Sequence, residues 1–318
     1  MDANVDLVAA DPELRYQLAH ATALCGDMER LRALVPGVPA DGATAGLREV
    51  LDGLVARFDA LSSACRLDDT DLRGWHAVLT GGLLLVRGPA EAEGMSGRFA
   101  WTWESAERLA TVLDRLDMAL AVAWMRKPTH VLADGGRDDL VLAHTAAARY
   151  RVPVVPLGAD RPQGLGLLAV WSWEMTPERL ALLTGAGSEE VLGFGYWLEW
   201  TRASWPAPDV VGLLAQHAQP PWGEGIRLAS WPAAPDGPEP TRPPETVTVP
   251  ADDREVAVLA AELAAVPVPP GEDEEHQDAA ELALVTYSLR AAAGHVGVLG
   301  GRRGNYVPMG PVRSAMFT

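Results

Sequence analysis

The chain predicts an α/β fold with a parallel or mixed sheet, a helical N-terminal lobe and a C-terminal extension. Three observations predict it. Pro128–Gly158, PTHVLADGGRDDLVLAHTAAARYRVPVVPLG, reads as strand, glycine turn, helix and strand, the smallest unit of a parallel sheet. Short apolar runs bounded by glycine, Leu83–Val86 above all, read as buried strands. The N-terminal part instead carries apolar residues at helical spacing. The corresponding divisions are a helical lobe over 1–73, an α/β core over 74–231, a proline-rich linker or loop over 232–244 and an extension over 245–318.

Asp11-Pro12-Glu13 is a helix start: a capping carboxylate, proline at the first helical position, then an acid at the positive end of the dipole. Gly26 breaks this helix, Asp27 caps a short continuation, and Pro36 and Pro39 end it. Leu47, Val50, Leu51, Leu54, Val55, Phe58 and Leu61 then mark one helical face, with Arg48, Glu49, Asp52, Arg57 and Asp59 mostly opposite. Phe99–Trp103 reads as a short strand. A helix follows over Glu104–Trp124, whose apolar end Met118–Trp124 fits a deeply buried helix or a strand. In the central unit, Val131 and Leu132 belong to the first strand, and Val152, Val154 and Val155 to the second. Leu167–Trp173 predicts a further strand and Thr176-Pro177-Glu178 a helix start. Val191–Arg202 alternates, with Leu192, Phe194, Tyr196, Leu198 and Trp200 on one side. Asp209–His217 reads as a short helix. Prolines crowd residues 232–244. Thr246–Val249 then predicts a strand, Asp253–Val266 a helix, Pro267–Asp278 a break and Ala279–Ala293 a last helix.

Composition narrows function. The net charge of −17, from 43 acidic against 26 basic residues, repels nucleic acid and anionic membranes. No apolar run is long enough to cross a membrane, and the acidic start lacks the basic-then-apolar order of a signal peptide. The expectation is a cytoplasmic protein. Cys25 and Cys65 stand alone on helical segments and read as reduced, partly buried thiols. The seven histidines form no HxxxH, and neither GxSxG, a P-loop nor CxxC occurs, so no metal or cofactor is predicted.

The turn Asp134-Gly135-Gly136-Arg137-Asp138-Asp139 is the first candidate site. It joins the carboxyl end of a strand to the amino end of a helix, where open parallel sheets bind ligands. Glycine lets a ligand approach the backbone, and free helix N–H groups attract anions. The aspartates compete for those same donors, so the turn suits a hydroxylated ligand such as ribose better than a pyrophosphate. In that reading Asp134, Gly135, Gly136 and Arg137 bind, and Asp138 or Asp139 acts as nucleophile or base. Without a ligand the same residues make a capped turn. Arg302 and Arg303, in the glycine-rich stretch Gly294–Gly304, are a second candidate for gripping an anion, or an exposed hairpin tip.

The central unit resembles that of the Rossmann-like nucleoside 2-deoxyribosyltransferases and the cytokinin-activating, lysine-decarboxylase-like proteins. It shares the strand, the glycine-rich turn, the small-residue helix and the Pro-Val strand over about thirty residues. The resemblance implies binding of a nucleoside or nucleotide and, for an enzyme, N-glycosidic bond cleavage or transfer. The helix position of the family's catalytic glutamate falls at Ala143, and the PGGxGT-type signature is missing.

Tryptophan points to a second function class. Seven of the 11 lie between Trp171 and Trp231. Trp171, Trp173, Trp197 and Trp200 read as core, while Trp205, Trp222 and Trp231 sit in loop-like sequence as exposed or interface residues. An acidic, non-catalytic interaction or regulatory protein with tryptophan anchors is the alternative. The acidic clusters Asp68–Asp71 and Glu272–Glu275 read as solvated loops and helix caps.

Overall fold

A computed structural model describes residues 11–88, 95–124, 126–185, 187–228, 246–270, 273–291, 303–308 and 310–312. It is an α/β fold. Strands β1 (Leu83–Leu84), β2 (Phe99–Trp103), β3 (His130–Ala133), β4 (Val154–Pro156), β5 (Gly166–Ser172), β6 (Val191–Glu199) and β7 (Val210–Gln219) form one sheet. Its order is β4-β3-β5-β6-β7, with β1 and β2 each paired to β7. Every pairing in this sheet is parallel.

The order fixes where a ligand crevice belongs. From β3 the chain steps outward to β4, then crosses back to β5 on the other side of β3. Sheets of this flavodoxin-like order bind ligands outside the carboxyl ends of the strands flanking that reversal, here β3 and β5. The Asp134–Asp139 turn follows β3 directly.

The central strands are buried on both faces, which explains their near-continuous apolar sequence. β5 and β6 are almost wholly buried. The alternation in Val191–Glu199 therefore separates two buried faces rather than an inside from an outside. Asp209–His217, expected as a helix, lies in β7 instead. Its Val210, Val211, Leu213 and Leu214 are all buried. Gly212 permits the packing, because a Cβ there would collide with the Tyr196 carbonyl oxygen.

The N-terminal lobe is helical. Helix α1 (Pro12–Leu24) is capped by the Asp11 carboxylate, which accepts from the Glu13 and Leu14 N–H groups. Gly26, at φ +77°, breaks it. Helix α2 (Met28–Leu34) restarts under the Asp27 cap. In α3 (Ala45–Leu61), Leu51, Leu54 and Leu61 are buried as expected. Arg57, placed by its charge on the polar side, is buried too, and its Nε donates to the Val78 carbonyl at 2.6 Å. Helix α4 (Leu72–Thr80) had no counterpart in the periodicity, because both of its faces are buried. The Asp71 carboxylate caps it, accepting from Gly74 N–H at 2.8 Å. Cys25 is exposed, contrary to expectation, and Cys65 is half-buried. Burial, then Asp71 and Glu281, pushes the Cys65 thiol up to about 12.

Helix α5 (Ala106–Ala119) continues into a wider turn over Leu120–Trp124, so that segment is helical and not a strand. Ala121 is exposed, so burial is not all-round. Helix α6 (Arg137–Tyr150) covers β3 and β5, and α7 (Pro177–Thr184) packs against β6. Beyond the core, β8 (Gly225–Leu228) pairs antiparallel with β9 (Thr246–Val249). Helix α8 (Val256–Ala264) lies along α6. Helix α9 (Asp273–Ala291) begins inside the stretch expected as a break. Asp278 draws it onto the core, accepting from the guanidinium groups of Arg73, Arg87 and Arg115. The proline-rich 232–244, Trp231 and Arg302 lie outside the described residues. Among the described residues no helix is long and apolar enough to cross a membrane.

Candidate functional site

The candidate turn grows out of β3. Gly135 adopts φ +84°, a left-handed conformation that glycine takes without strain. A Cβ there would also sit 2.7 Å from Asp139 Oδ2. Gly136 opens α6 with no side-chain cap and has free space where a side chain would be. Gly135, Gly136 and Arg137 are exposed, while Asp134, Asp138 and Asp139 are half-buried.

The turn's charged side chains are engaged within the protein. Asp139 Oδ1 accepts from the Trp171 backbone N–H at 2.7 Å, and its Oδ2 accepts from Arg179 Nη2 at 2.5 Å. Arg179 Nε donates to Asp134 Oδ2 at 3.0 Å, and its Nη1 donates to the Glu174 carbonyl at 2.8 Å. Arg179 is only 4% exposed. One buried guanidinium thus ties β3, α6 and the start of α7 together, at the reversal of the strand order. Burial raises the Asp139 pKa, against the Trp171 N–H and Arg179, which lower it; Asp134 adds a further rise.

The remaining turn residues hold a strap. Asp138 Oδ1 accepts from Trp222 Nε1 at 2.7 Å. Arg137 Nη2 donates to the carbonyls of Asp252 at 2.8 Å and Arg254 at 2.5 Å. The Asp252 N–H returns to the Trp222 carbonyl at 2.9 Å. Trp222, expected to be exposed or at an interface, is buried within the chain. Its ring meets Trp171 edge-on at 5.0 Å, and Trp171 stacks on Tyr196 at 4.2 Å. Tyr196 in turn donates its hydroxyl to the buried Glu104 carboxylate at 2.5 Å, which also accepts from Thr102. Burial, then the Glu104 charge, raises the Tyr196 pKa, so the phenol keeps its proton.

This arrangement has a chemical consequence. A nucleophile or general base needs a lone pair within hydrogen-bond reach of a substrate. Each Asp139 oxygen accepts one strong donor, which holds that carboxylate in place, and Asp138 Oδ1 accepts from the buried indole of Trp222. Arg179 and Trp222 hold the turn, and Glu104 holds Tyr196 behind Trp171; the sequence marked Trp222 only as an exposed or interface residue and gave Arg179 and Glu104 no such part. Arg179 lies 40 residues from its partner Asp139, and Trp222 lies 84 from Asp138. No spacing rule reaches so far.

Arg303 is not an anion clamp at a loop tip. It pairs with buried Asp209 through Nε at 3.0 Å and Nη2 at 2.9 Å, and donates to the carbonyls of Leu183, Ser188 and Val191. Asp209 also accepts from the Gly193 N–H at 2.7 Å. Arg303 thereby satisfies chain ends around β6, far in sequence from the turn. Among the described residues no cluster of three or more His, Cys, Asp or Glu is placed to hold a metal ion.

A different surface is aromatic and open. Trp101 on β2 is 54% exposed. Its ring lies parallel to exposed His217 on β7, at 6.2 Å and 12°, and meets Trp103 edge-on at 5.7 Å. The buried Trp197 supports His217 from below. His217 and Gln219 share a 3.1 Å hydrogen bond, and the Gln219 amide also donates to the Glu224 carbonyl. The result is a rigid aromatic platform with a polar margin on the last strand of the sheet. Trp205 is exposed as well, as expected from its loop-like sequence.

The fold and these two regions define a parallel α/β protein with a strapped switch-point crevice and an open aromatic edge. Comparison with protein-family models, curated proteins and solved structures gave no match to this chain.

Proposed function

We propose that this protein is a non-catalytic interaction module that docks a basic protein partner against the aromatic platform on β2. The observation that carries this reading is Trp101, more than half exposed on a braced edge strand. Exposed tryptophan on a rigid support is the side chain most enriched at binding hot spots. Asp138 and Asp139 at the switch point meanwhile answer Trp171, Arg179 and Trp222, which gives them a structural role. The net charge of −17 selects the partner: it attracts a basic surface and repels a second copy of the chain.

The test isolates the partner with the wild-type chain as bait, identifies the captured protein, and measures binding with the purified partner. The expected outcome is that Trp101→Ala weakens binding by about 2 kcal/mol, the cost of a hot-spot truncation. Asp138→Ala should leave it unchanged. Equal affinity of wild type and Trp101→Ala would overturn the reading.

One observation favours a second reading, a nucleoside or similar hydroxylated ligand at the turn. Gly135 and Gly136 are exposed at the open amino end of α6, at the switch point of the sheet. In this reading a ligand binds over the two glycines with Asp134 beside it, and catalysis needs the Asp138 or Asp139 contacts to open first. A thermal-shift screen with nucleosides, nucleotides and sugars separates the two. A rise in melting temperature that Asp138→Ala abolishes supports the turn as a site, because a ligand stabilises the state it binds.

A further inference from the structure

After β7 the chain comes back to the switch point twice. It first passes the turn at Trp222, whose Nε1 donates to Asp138. It then forms the β8–β9 hairpin and passes the turn again, where the carbonyls of Asp252 and Arg254 accept from Arg137. The Asp252 N–H donates to the Trp222 carbonyl at 2.9 Å, which joins the two crossings to each other. They are the two ends of one strap, described over 221–228 and 246–254.

The strap is lightly held. Its two strands pair with each other and, among the described residues, with no strand of the main sheet. A two-stranded ribbon is marginal in isolation. Where the burial of the strap is described, Trp222 is its single buried residue. Gly225 rests against the Trp103 ring but brings no side chain to that contact, because a Cβ there would collide with the ring. The Gln219 amide donates to the Glu224 carbonyl beside it. A segment with few buried apolar contacts opens more readily than the sheet it covers.

Trp222 stands at a corner of the chain. The Pro220 carbonyl accepts from the Gly223 N–H at 3.0 Å, so Pro221 and Trp222 are the central residues of a tight turn. The indole reaches from that corner into the crevice. Its ring meets Trp171 edge-on at 5.0 Å, and its N–H occupies Asp138 Oδ1. Gly135 and Gly136, directly before the two residues that hold the strap, are exposed. Anything that takes up Asp138 Oδ1 at this turn must first displace Trp222.

We propose that the strap is a lid over the switch-point crevice, closed by Trp222 on Asp138 and by Arg137 on the returning chain. It opens as a unit while the sheet stays folded. Opening uncovers Asp138 and the Trp171 ring at the carboxyl end of the sheet, the end at which open parallel sheets bind ligands. The lid needs neither a partner at Trp101 nor a ligand at the turn.

Hydrogen exchange of the full chain, followed by NMR, tests it. Trp173 supplies the internal reference, since its buried indole N–H donates to the Pro206 carbonyl. In the wild type the Trp222 indole N–H should exchange at least about a hundredfold faster than that of Trp173. Each latch is then removed and read at the crossing it does not touch. Asp138→Ala should quicken the Asp252 amide about tenfold, and Arg137→Ala the Trp222 indole about tenfold, with Trp173, β5 and β6 unchanged. Trp222→Phe, which keeps a ring and removes the N–H, should match Asp138→Ala at the Asp252 amide. Equal exchange of Trp222 and Trp173 in the wild type would overturn the lid, because the strap would then open only with the whole protein. So would an unchanged far crossing in either latch variant, which would make the crossings independent. Quickening of β5 and β6 alongside the strap would overturn it as well, because the latch bonds would then hold the whole fold.

Discussion

Arg179 is the residue on which the switch-point crevice depends. It answers Asp134 and Asp139 together from a buried position, and it is the charge that offsets their burial. Removing one partner of a buried ion pair leaves an uncompensated charge. Arg179→Ala should therefore lower unfolding stability by about 3 kcal/mol, read as a shift of the urea midpoint. Adding Asp139→Asn should recover part of the loss, because the stranded carboxylate is gone. His76 makes a separate prediction. It is buried, its Nε2 has no partner, and burial, then Arg98, lowers its pKa to about 4. Between about pH 6.5 and 4 the unfolded chain binds a proton there that the folded protein does not. Stability should thus fall as pH drops through that window, by about 2–3 kcal/mol at pH 4.5 relative to pH 7. Urea titrations at both pH values should show a smaller drop for His76→Gln. An equal drop in both proteins would assign the acid sensitivity to other groups.

Among the elements, α9 shows how charge can dock a helix. Three arginines from the core converge on Asp278. Two of them, Arg87 and Arg73, also reach Glu281 one turn further on. Asp278→Ala should expose this helix first: amide exchange across 279–291 should quicken before that of β5 and β6. Uniform acceleration across all elements would mean that α9 opens only with the whole protein. The same helix explains a misreading. Its acidic start resembles a solvated loop until the arginines 163 and 205 residues away are in place. β7 is the parallel case. Val210–Gln219 lacks alternation because both of its faces are buried, and a short apolar run fits a helix as well as a strand. By contrast α1, α2 and α7 were legible, because a capping side chain and a helix-starting proline or acid act over one turn of chain.

For the whole molecule, charge and topology act at different ranges. The charge of −17 is a long-range property that salt screens within about 10 Å at 0.1 M. If it steers a basic partner to the β2 edge, association should slow several-fold between about 50 and 500 mM salt, while Trp101→Ala should act mainly on dissociation. A salt-independent association rate would remove charge from the recognition. Topology decides the rest. The order β4-β3-β5-β6-β7 places the Asp134–Asp139 turn at the reversal of the chain, a position visible only once the strands are paired.

By itself the sequence determined the α/β class, the helical lobe, the strand–turn–helix–strand unit and the acidic character, because each rests on local spacing, capping or composition. It also placed Trp171, Trp173, Trp197 and Trp200 in the core and Trp205 outside it, as the structure has them. Only the tertiary structure decided the other two: Trp222 went inside to meet Asp138, and Trp101 stayed out on the edge of the sheet. It likewise decided that the aspartates of the turn answer Arg179 and Trp222. The physical reason is range. Backbone propensity and capping act within a few residues, whereas a buried charge is matched by whichever partner the packed strands bring within about 3 Å.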